Sequence, residues 1–257
     1  MKKIETYRPN NPEQATVCRP GKLYLIPAPI GAGAVDDVIP QGTLAVLRRL
    51  TYFVVEELRT ARRYLSKAGV AAPIDTLTFF TLNEHTAPEA VAPFLQPALE
   101  GNDIGLLSEA GVPAVADPGA VLVRLAHAKS VEVVPLVGPS SLLLALMASG
   151  LNGQSFAFAG YLPVKPHERQ QRIKHLERLS ASGNQTQLFI ETPYRNLSLF
   201  AAILESAAPG TLVCVAANLT QPDAFVHTAS VAEWKAAAVP DIHKKPCIFL
   251  LLASNAF

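Results

Sequence analysis

The sequence predicts an α/β fold in two subdomains, with a parallel sheet in the N-terminal half and a mixed sheet in the C-terminal half. Three observations predict it. Apolar, β-branched runs recur along the chain and are continuous rather than alternating, as strands covered on both faces should be. Segments with helical spacing separate them, and this βαβα order favours parallel strands joined by right-handed crossovers. Past residue 210 the apolar runs crowd at short spacing, which suits a mixed sheet.

In chain order, "KLYLIP" opens the series as a strand, and the helical "GTLAVLRRL" leads to a second strand, "TYFVVEE". After "LTFF" comes "EAVAPFLQPALEG", read as a helix shortened by its internal prolines. "DIGLLSE" is the next strand, "AVLVRLAHAKS" a helix, and "VEVVPLVG" a strand again. The second half begins with a helix, "PSSLLLALMASG", whose closing Gly150 suits a C′ position. "SFAFAGYL", the helix "HERQQRIKHLERLSASG" ending at Gly183, "TQLFIET" and the helix "RNLSLFAAILESAAPG" follow. "TLVCVAANL", "AFVHTASVAEWKAA" and "CIFLLLA" complete a mostly β set. The expected units are an N-terminal extension over 1–20, a subdomain over 21–137 and a second over 138–257.

Composition narrows the function classes. Of 257 residues 49% are apolar and 17% charged, which supplies core material and disfavours disorder. A net charge of +1 does not indicate a globally basic nucleic-acid binder. The basic helix from Lys165 to Arg178 reads as a solvated face held by charge pairs, with an RNA contact as the alternative. No apolar run approaches the roughly 20 residues that span a bilayer, and the polar start has no apolar core of a secretory signal. Cys18, Cys214 and Cys247 are odd in number and widely spaced, which fits neither a disulfide framework nor a zinc site. A cytoplasmic protein with no metal is the expectation, with Cys214 and Cys247 as buried thiols.

In open α/β sheets, ligands bind beyond the carboxyl ends of the strands. The segments just after each strand are therefore the candidates. "PAPIGAG" (27–33) is stiffened by proline and glycine but lacks the GxGxxG dinucleotide pattern. "VEELRTARR" (55–63) brings Glu56 and Glu57 together with Arg59, Arg62 and Arg63; surface ion pairing is the alternative reading. His85 in "LNEHT" is a weak base candidate. "SEAGVPAVADPG" (108–119) is long for a strand-to-helix connection, which usually takes about two to six residues; within it Asp117 suits a helix N-cap. "VGPSS" offers Ser140 and Ser141, one of them expected to cap the helix that follows. "ETPYRN" supplies Glu191, Tyr194 and Arg195, with Pro193 suited to a helix start. Many stiff loops and few catalytic groups suit the binding of a large organic cofactor beside a second substrate.

"KLYLIPAPIG", "SEAGVPAVADPG", "VVPLVGPSS" and "LFIETPYR" resemble, in order and spacing, the S-adenosylmethionine-dependent tetrapyrrole methylase superfamily. Within it they look most like the type that methylates a cytidine 2′-hydroxyl in small-subunit ribosomal RNA. The resemblance spans about residues 21–252. It implies a cofactor cleft between the two subdomains, a homodimer and S-adenosylmethionine as methyl donor. It also implies cofactor contacts at Pro29, Ile30, Ser108, Ala110, Gly111, Val112, Val115, Ser140, Ser141, Ile190, Ala217 and Pro246. Glu56, Arg59 and Glu191 are the catalytic candidates, and Arg62, Arg63, His85, Tyr194 and Arg195 the substrate-binding ones. The chain departs from the family's P-T-P-I-G-N-L, A-E-D-T-R and S-D-A-G patterns at Ala28 and "GAGA", at "VEELR" and at Glu109. A tetrapyrrole or a modified protein residue as acceptor, or cofactor binding without catalysis, remain the alternatives.

Overall fold

The computed structural model describes residues 19–253, and within them ten strands form two five-stranded sheets. The first sheet is built from β1 (Lys22–Ile26), β2 (Tyr52–Val55), β3 (Thr78–Thr81), β4 (Ile104–Leu107) and β5 (Glu132–Pro135), in the order β3-β2-β4-β1-β5. Every pairing in it is parallel. Its helices are α1 (Val35–Val38), α2 (Gln41–Arg49), α3 (Leu58–Ala68), α4 (Gln96–Leu99) and α5 (Ala120–Ala128). Central β4 is buried at all four positions, whereas edge strands β3 and β5 are exposed at both ends. Apolar clusters cover both faces of the sheet, which explains why its strands read as unbroken hydrophobic runs.

The second sheet contains β6 (Phe156–Tyr161), β7 (Thr186–Ile190), β8 (Leu212–Ala217), β9 (Phe225–Ser230) and β10 (Cys247–Leu252), ordered β6-β7-β10-β8-β9. Only β6 and β7 pair in parallel; the other neighbours are antiparallel. Helix α6 (Ser141–Ser149) covers one face through Ala145 and Leu146 against Leu188, Cys214 and Leu250. Helices α7 (Pro166–Gly183), α8 (Asn196–Ser206) and α9 (Val231–Ala236) cover the other, around Ile173, Phe189, Phe200 and Phe249. Trp234 closes that core and donates its indole N–H to the Val213 carbonyl at 2.8 Å.

The alternation of directions has a consequence for the site. Because β10 runs opposite to both β7 and β8, the carboxyl ends of β6, β7 and β8 lie on one edge with the amino end of β10. In the first sheet β1 and β4 are neighbours, yet their crossovers leave toward opposite ends of the sheet order. That is the topological switch point where α/β sheets hold ligands.

Several expectations change. The "EAVAPFLQPALEG" segment is two 3₁₀ turns (Pro88–Ala90 and Ala92–Leu95) and the single turn α4, since Pro93 and Pro97 remove the amide donors a longer helix needs. "AFVHTASVAEWKAA" is half strand and half helix, because Ser230 and Glu233 form a capping box that starts α9. Helix α7 ends with Asn184, not Gly183, in the left-handed conformation. Gly150 does close α6 with φ +70°. The basic helix is not wholly a solvated face: Lys165 pairs with Glu168, but Arg169 is 93% buried by its 7% exposure, and Glu177 holds the Ala208 amide and the Thr211 hydroxyl instead of a cation. Cys214 and Cys247 are buried, and burial pushes both thiols up, Cys247 to about 12. Cys18 and residues 1–18 of the expected extension lie outside the described residues.

Candidate active site

The loop after β1 and the loop after β4 are tied together before they reach the site. Ala28 and Gly111 exchange backbone hydrogen bonds of 2.8 and 3.0 Å. Tyr64 of α3, buried, donates its hydroxyl to the Pro27 carbonyl at 2.8 Å. Gly111 sits at φ +75°, where a Cβ is unfavourable, and one built there would stand 3.4 Å from both Ile30 Cγ2 and the Pro139 carbonyl. Farther along, Ala114 and Ala116 also hold positive φ, 64° and 55°. The Asp117 carboxylate steadies this stretch by accepting from the Ala114 and Gly119 amides at 3.2 and 2.7 Å. It pins the loop rather than capping α5, whose N-cap position is Gly119.

Between the two sheets lies a cleft of about 620 Å³. Its first wall carries Ile30, Glu56, Ser108, Glu109, Ala110, Gly111, Val112, Val115 and Asp117. The connection into α6 adds Ser140, Ser141 and Leu142. Neither serine side chain caps α6, contrary to expectation. Opposite stand Phe158 and Tyr161 of β6, Ile190, Glu191 and Pro193 at and after the end of β7, Ala216, Asn218, Leu219, Gln221 and Asp223 around the end of β8, and Pro246 to Ile248 at the start of β10. The walls meet where Gly31 faces Gln221: a Cβ on Gly31 would lie 1.5 Å from Gln221 Nε2.

The structure thus gathers ten of the twelve expected cofactor residues on the cleft lining, while Pro29 and Ala217 are outside it. Glu56 and Glu191 line the cleft; Arg59, Arg62, Arg63, His85, Tyr194 and Arg195 do not. Arg62 is paired with Asp75, and Arg59 and Arg63 are exposed. His85 is an exposed loop residue near Glu84. Tyr194 is 72% exposed, with Lys244 Nζ 5.6 Å from its ring centroid.

Electrostatics distinguish the acids. Burial, with Asp117, Glu109 and Glu84 nearby, pushes the Glu56 carboxyl above its usual value. Burial, together with Glu57 and Asp117, does the same to Glu109. Glu57 is different: it caps α3, accepting from the Arg59 and Thr60 amides, and sits low. Burial opposes the ionisation of Glu191, but the Arg195 guanidinium at 2.6 Å and the Thr192 amide at 2.7 Å together hold its carboxyl below the usual value. Glu191 Oε2 remains buried with no partner among the described residues, as does Gln221 Nε2. The charged residues of the lining are Glu56, Glu109, Asp117, Glu191 and Asp223, all carboxylates. Among the described residues no group of three or more acids, histidines or cysteines is placed to hold a metal.

The chain is 31% identical over 237 residues to ribosomal RNA small subunit methyltransferase I of Xylella fastidiosa, covering 92% of this chain and 82% of that protein. The protein of the same name from Escherichia coli O157:H7 is 32% identical over 235 residues, covering 91% and 78%. The chain belongs to the ribosomal RNA small subunit methyltransferase I family. No family model matches it. Among solved structures, the methyltransferase CobJ aligns with a TM-score of 0.61 at 21% identity, over 91% of this chain and 95% of that one. Cobalt precorrin-4 methyltransferase, a cobalamin biosynthetic enzyme, aligns with a TM-score of 0.58 at 17% identity, over 90% and 94%. Both likenesses concern the fold, which is that of the tetrapyrrole methylases. The chain is thus a methyltransferase by family.

Leu219, Gln221 and Asp223 are lining residues that sequence reasoning passed over. The strand-end rule names them once β8 is known to run parallel to β7; the antiparallel β10 between those strands hides that from the sequence.

Proposed function

We propose that this chain transfers the methyl group of S-adenosylmethionine to the ribose 2′-hydroxyl of a cytidine in small-subunit ribosomal RNA. The observation that carries the reading is the cleft between the two sheets, in a chain of this family: its formal charges are all negative and its walls are otherwise largely apolar. S-adenosylmethionine fits such a lining. Its sulfonium and ammonium groups suit carboxylate walls, and its adenine suits Ile30, Leu142, Ile190 and Ile248. The two unpartnered polar atoms, Glu191 Oε2 and Gln221 Nε2, are an acceptor and a donor of the kinds its hydroxyls, ammonium and carboxylate would satisfy. Ser108, Ala110, Gly111, Val112, Val115, Ser140, Ser141 and Pro246 would hold it from the loops.

When bound, the donor supplies a methyl group on a sulfonium, whose departing thioether is neutral and needs no acid. The protein's own work is then alignment and removal of one proton. Glu56 suits the proton transfer: its raised carboxyl is a stronger base than an ordinary glutamate, and it faces the cleft. Glu56 would take the proton of the acceptor hydroxyl, freeing that oxygen's lone pair for the methyl carbon the donor would supply, with the carbon–sulfur electron pair leaving on the thioether. Glu191, tied to Arg195, orients rather than accepts.

A homodimer in the cytoplasm belongs to the same reading. Leu143 and Met147 of α6, 56% and 77% exposed, are apolar surface a second copy would cover. No described helix is long and apolar enough to cross a membrane. The test is transfer of labelled methyl from S-adenosylmethionine to small ribosomal subunits from a strain lacking the gene. Label in a cytidine ribose supports the reading; label in protein or in an added tetrapyrrole would transfer it to those acceptors. Sedimentation of wild type against Met147→Asp reads the dimer.

A further inference from the structure

Arg169 is the most buried charged side chain that the cleft does not use. Its exposure is 7%, and among the described residues it pairs with no carboxylate. It donates Nη2–H to Ser198 Oγ at 3.1 Å, while its Nε is buried without a partner. A guanidinium held out of water without a counter-charge is costly unless an anion joins it. Beside it is a cavity of about 230 Å³, lined by Pro166, Arg169, Gln170, Ser198, Ala202 and Glu205 among others.

The place of this cavity in the fold adds to the case. Arg169 and Ser198 belong to the first turns of α7 and α8, the helices that follow β6 and β7. Neither helix has a side-chain cap at its N-terminus. Helix α7 begins at the cavity, with Pro166 on the lining, and an uncapped helix N-terminus favours an anion; α8 passes along the cavity by the face of Ser198, Ala201, Ala202 and Glu205. The strand that feeds α7, β6, ends on the cleft edge at Tyr161, so the start of α7 lies toward that end of the second sheet. The one carboxylate on its lining, Glu205, stands two turns further along α8.

We infer that Arg169, with Ser198 and Gln170, forms a phosphate-binding site outside the cleft, and that it takes a backbone phosphate of the RNA substrate. The inference rests on the RNA reading proposed above. It answers a difficulty in that reading, because a lining whose only charges are carboxylates repels a polyanion. RNA must then be held by cations elsewhere, and a cation buried in a pocket holds a phosphate better than the exposed Arg59 or Arg63.

Two measurements test it separately. In the first, thermal stability is followed in inorganic phosphate against chloride at equal ionic strength, with the cleft saturated by S-adenosylhomocysteine. Phosphate at roughly ten times its Kd should raise the Tm of wild type by about 3–5 °C, and that of Arg169→Met not at all. Glu205→Gln, which removes the opposing charge, should enlarge the shift. If wild type and Arg169→Met respond alike, or if Glu205→Gln abolishes the shift, no anion site exists. In the second, methyl transfer to small subunits is followed. Arg169→Met should raise KM for subunits about tenfold with kcat and the KM for S-adenosylmethionine unchanged, and should reduce the slope of log KM against log salt by about one. Ser198→Ala, a milder change, should move KM in the same direction. A phosphate shift with unaltered KM and salt slope would overturn the RNA assignment and leave a site for free phosphate. Should wild type methylate no subunit at all, the RNA reading fails, and the phosphate measurement still decides the site.

Discussion

Glu56 and Glu191 are carboxylates on one cleft with opposite electrostatics, and their variants should behave oppositely. Glu56 is held above its usual value by burial and by Asp117, Glu109 and Glu84. A raised folded value means the ionised form is a burden, so the protein gains stability as pH falls through that value. Glu56→Gln should therefore raise Tm at neutral pH, by about 1–2 °C, while lowering kcat about 100-fold and removing the acid limb of the pH–rate profile. Calorimetry and initial rates check both parts; a loss of Tm with retained activity would deny Glu56 the role of base. Glu191 is ionised and buried against Arg195. That pairing contributes stability above the ordinary glutamate value and loses it as pH falls through the depressed one. Arg195→Ala should lower Tm by about 5 °C at neutral pH, with a deficit that shrinks toward acid pH as the orphaned carboxyl takes a proton. Gly111→Ala should cost about 1–2 kcal/mol for a Cβ at φ +75°, and weaken S-adenosylmethionine binding in titration calorimetry.

At the scale of elements, the 108–119 loop acts as one wall because three devices fix it. These are the Ala28–Gly111 bridge, the positive φ of Gly111, Ala114 and Ala116, and the Asp117 carboxylate across Ala114 and Gly119. Asp117→Ala frees that stretch and should weaken S-adenosylmethionine binding about tenfold, with far-ultraviolet circular dichroism unchanged. Unaltered affinity would mean that the wall needs no pinning. Much of this is legible in sequence, where the loop stands out by length and by its glycine and proline, though Asp117 suits a helix N-cap there and pins the loop in the structure. Strands were legible because burial on both faces leaves continuous apolar runs. Pro93 and Pro97 broke a helix more completely than the apolar spacing implied. The α9 helix was hidden in a β-rich stretch because its start depends on one capping box. Arg169 looked solvent-facing in a charged helix; only the packing of α7 on α8 reveals it as buried.

For the whole molecule, two sheets of different construction meet along their ligand-binding edges. A parallel sheet offers the ends of β1, β2 and β4 by the logic of crossovers, and a mixed sheet offers β6, β7 and β8 only because β10 reverses between them. The first kind of edge is readable from element order; the second needs the strand pairing, which is why the residues after β8 were not anticipated. Charge divides along the same lines. The cleft lining is acidic, while Lys244, Lys245 and Arg195 belong to the loops of the second half around it. S-adenosylmethionine binding should accordingly vary little with salt, whereas subunit KM should rise steeply.

The central claim is tested most directly by incubating the protein with small ribosomal subunits from a strain lacking the gene and methyl-labelled S-adenosylmethionine, then mapping the label by nuclease digestion and mass spectrometry. One labelled cytidine carrying the methyl on its ribose is expected, with the rate for Glu56→Gln down about 100-fold. A folded protein that binds S-adenosylmethionine yet leaves the RNA unlabelled would contradict it.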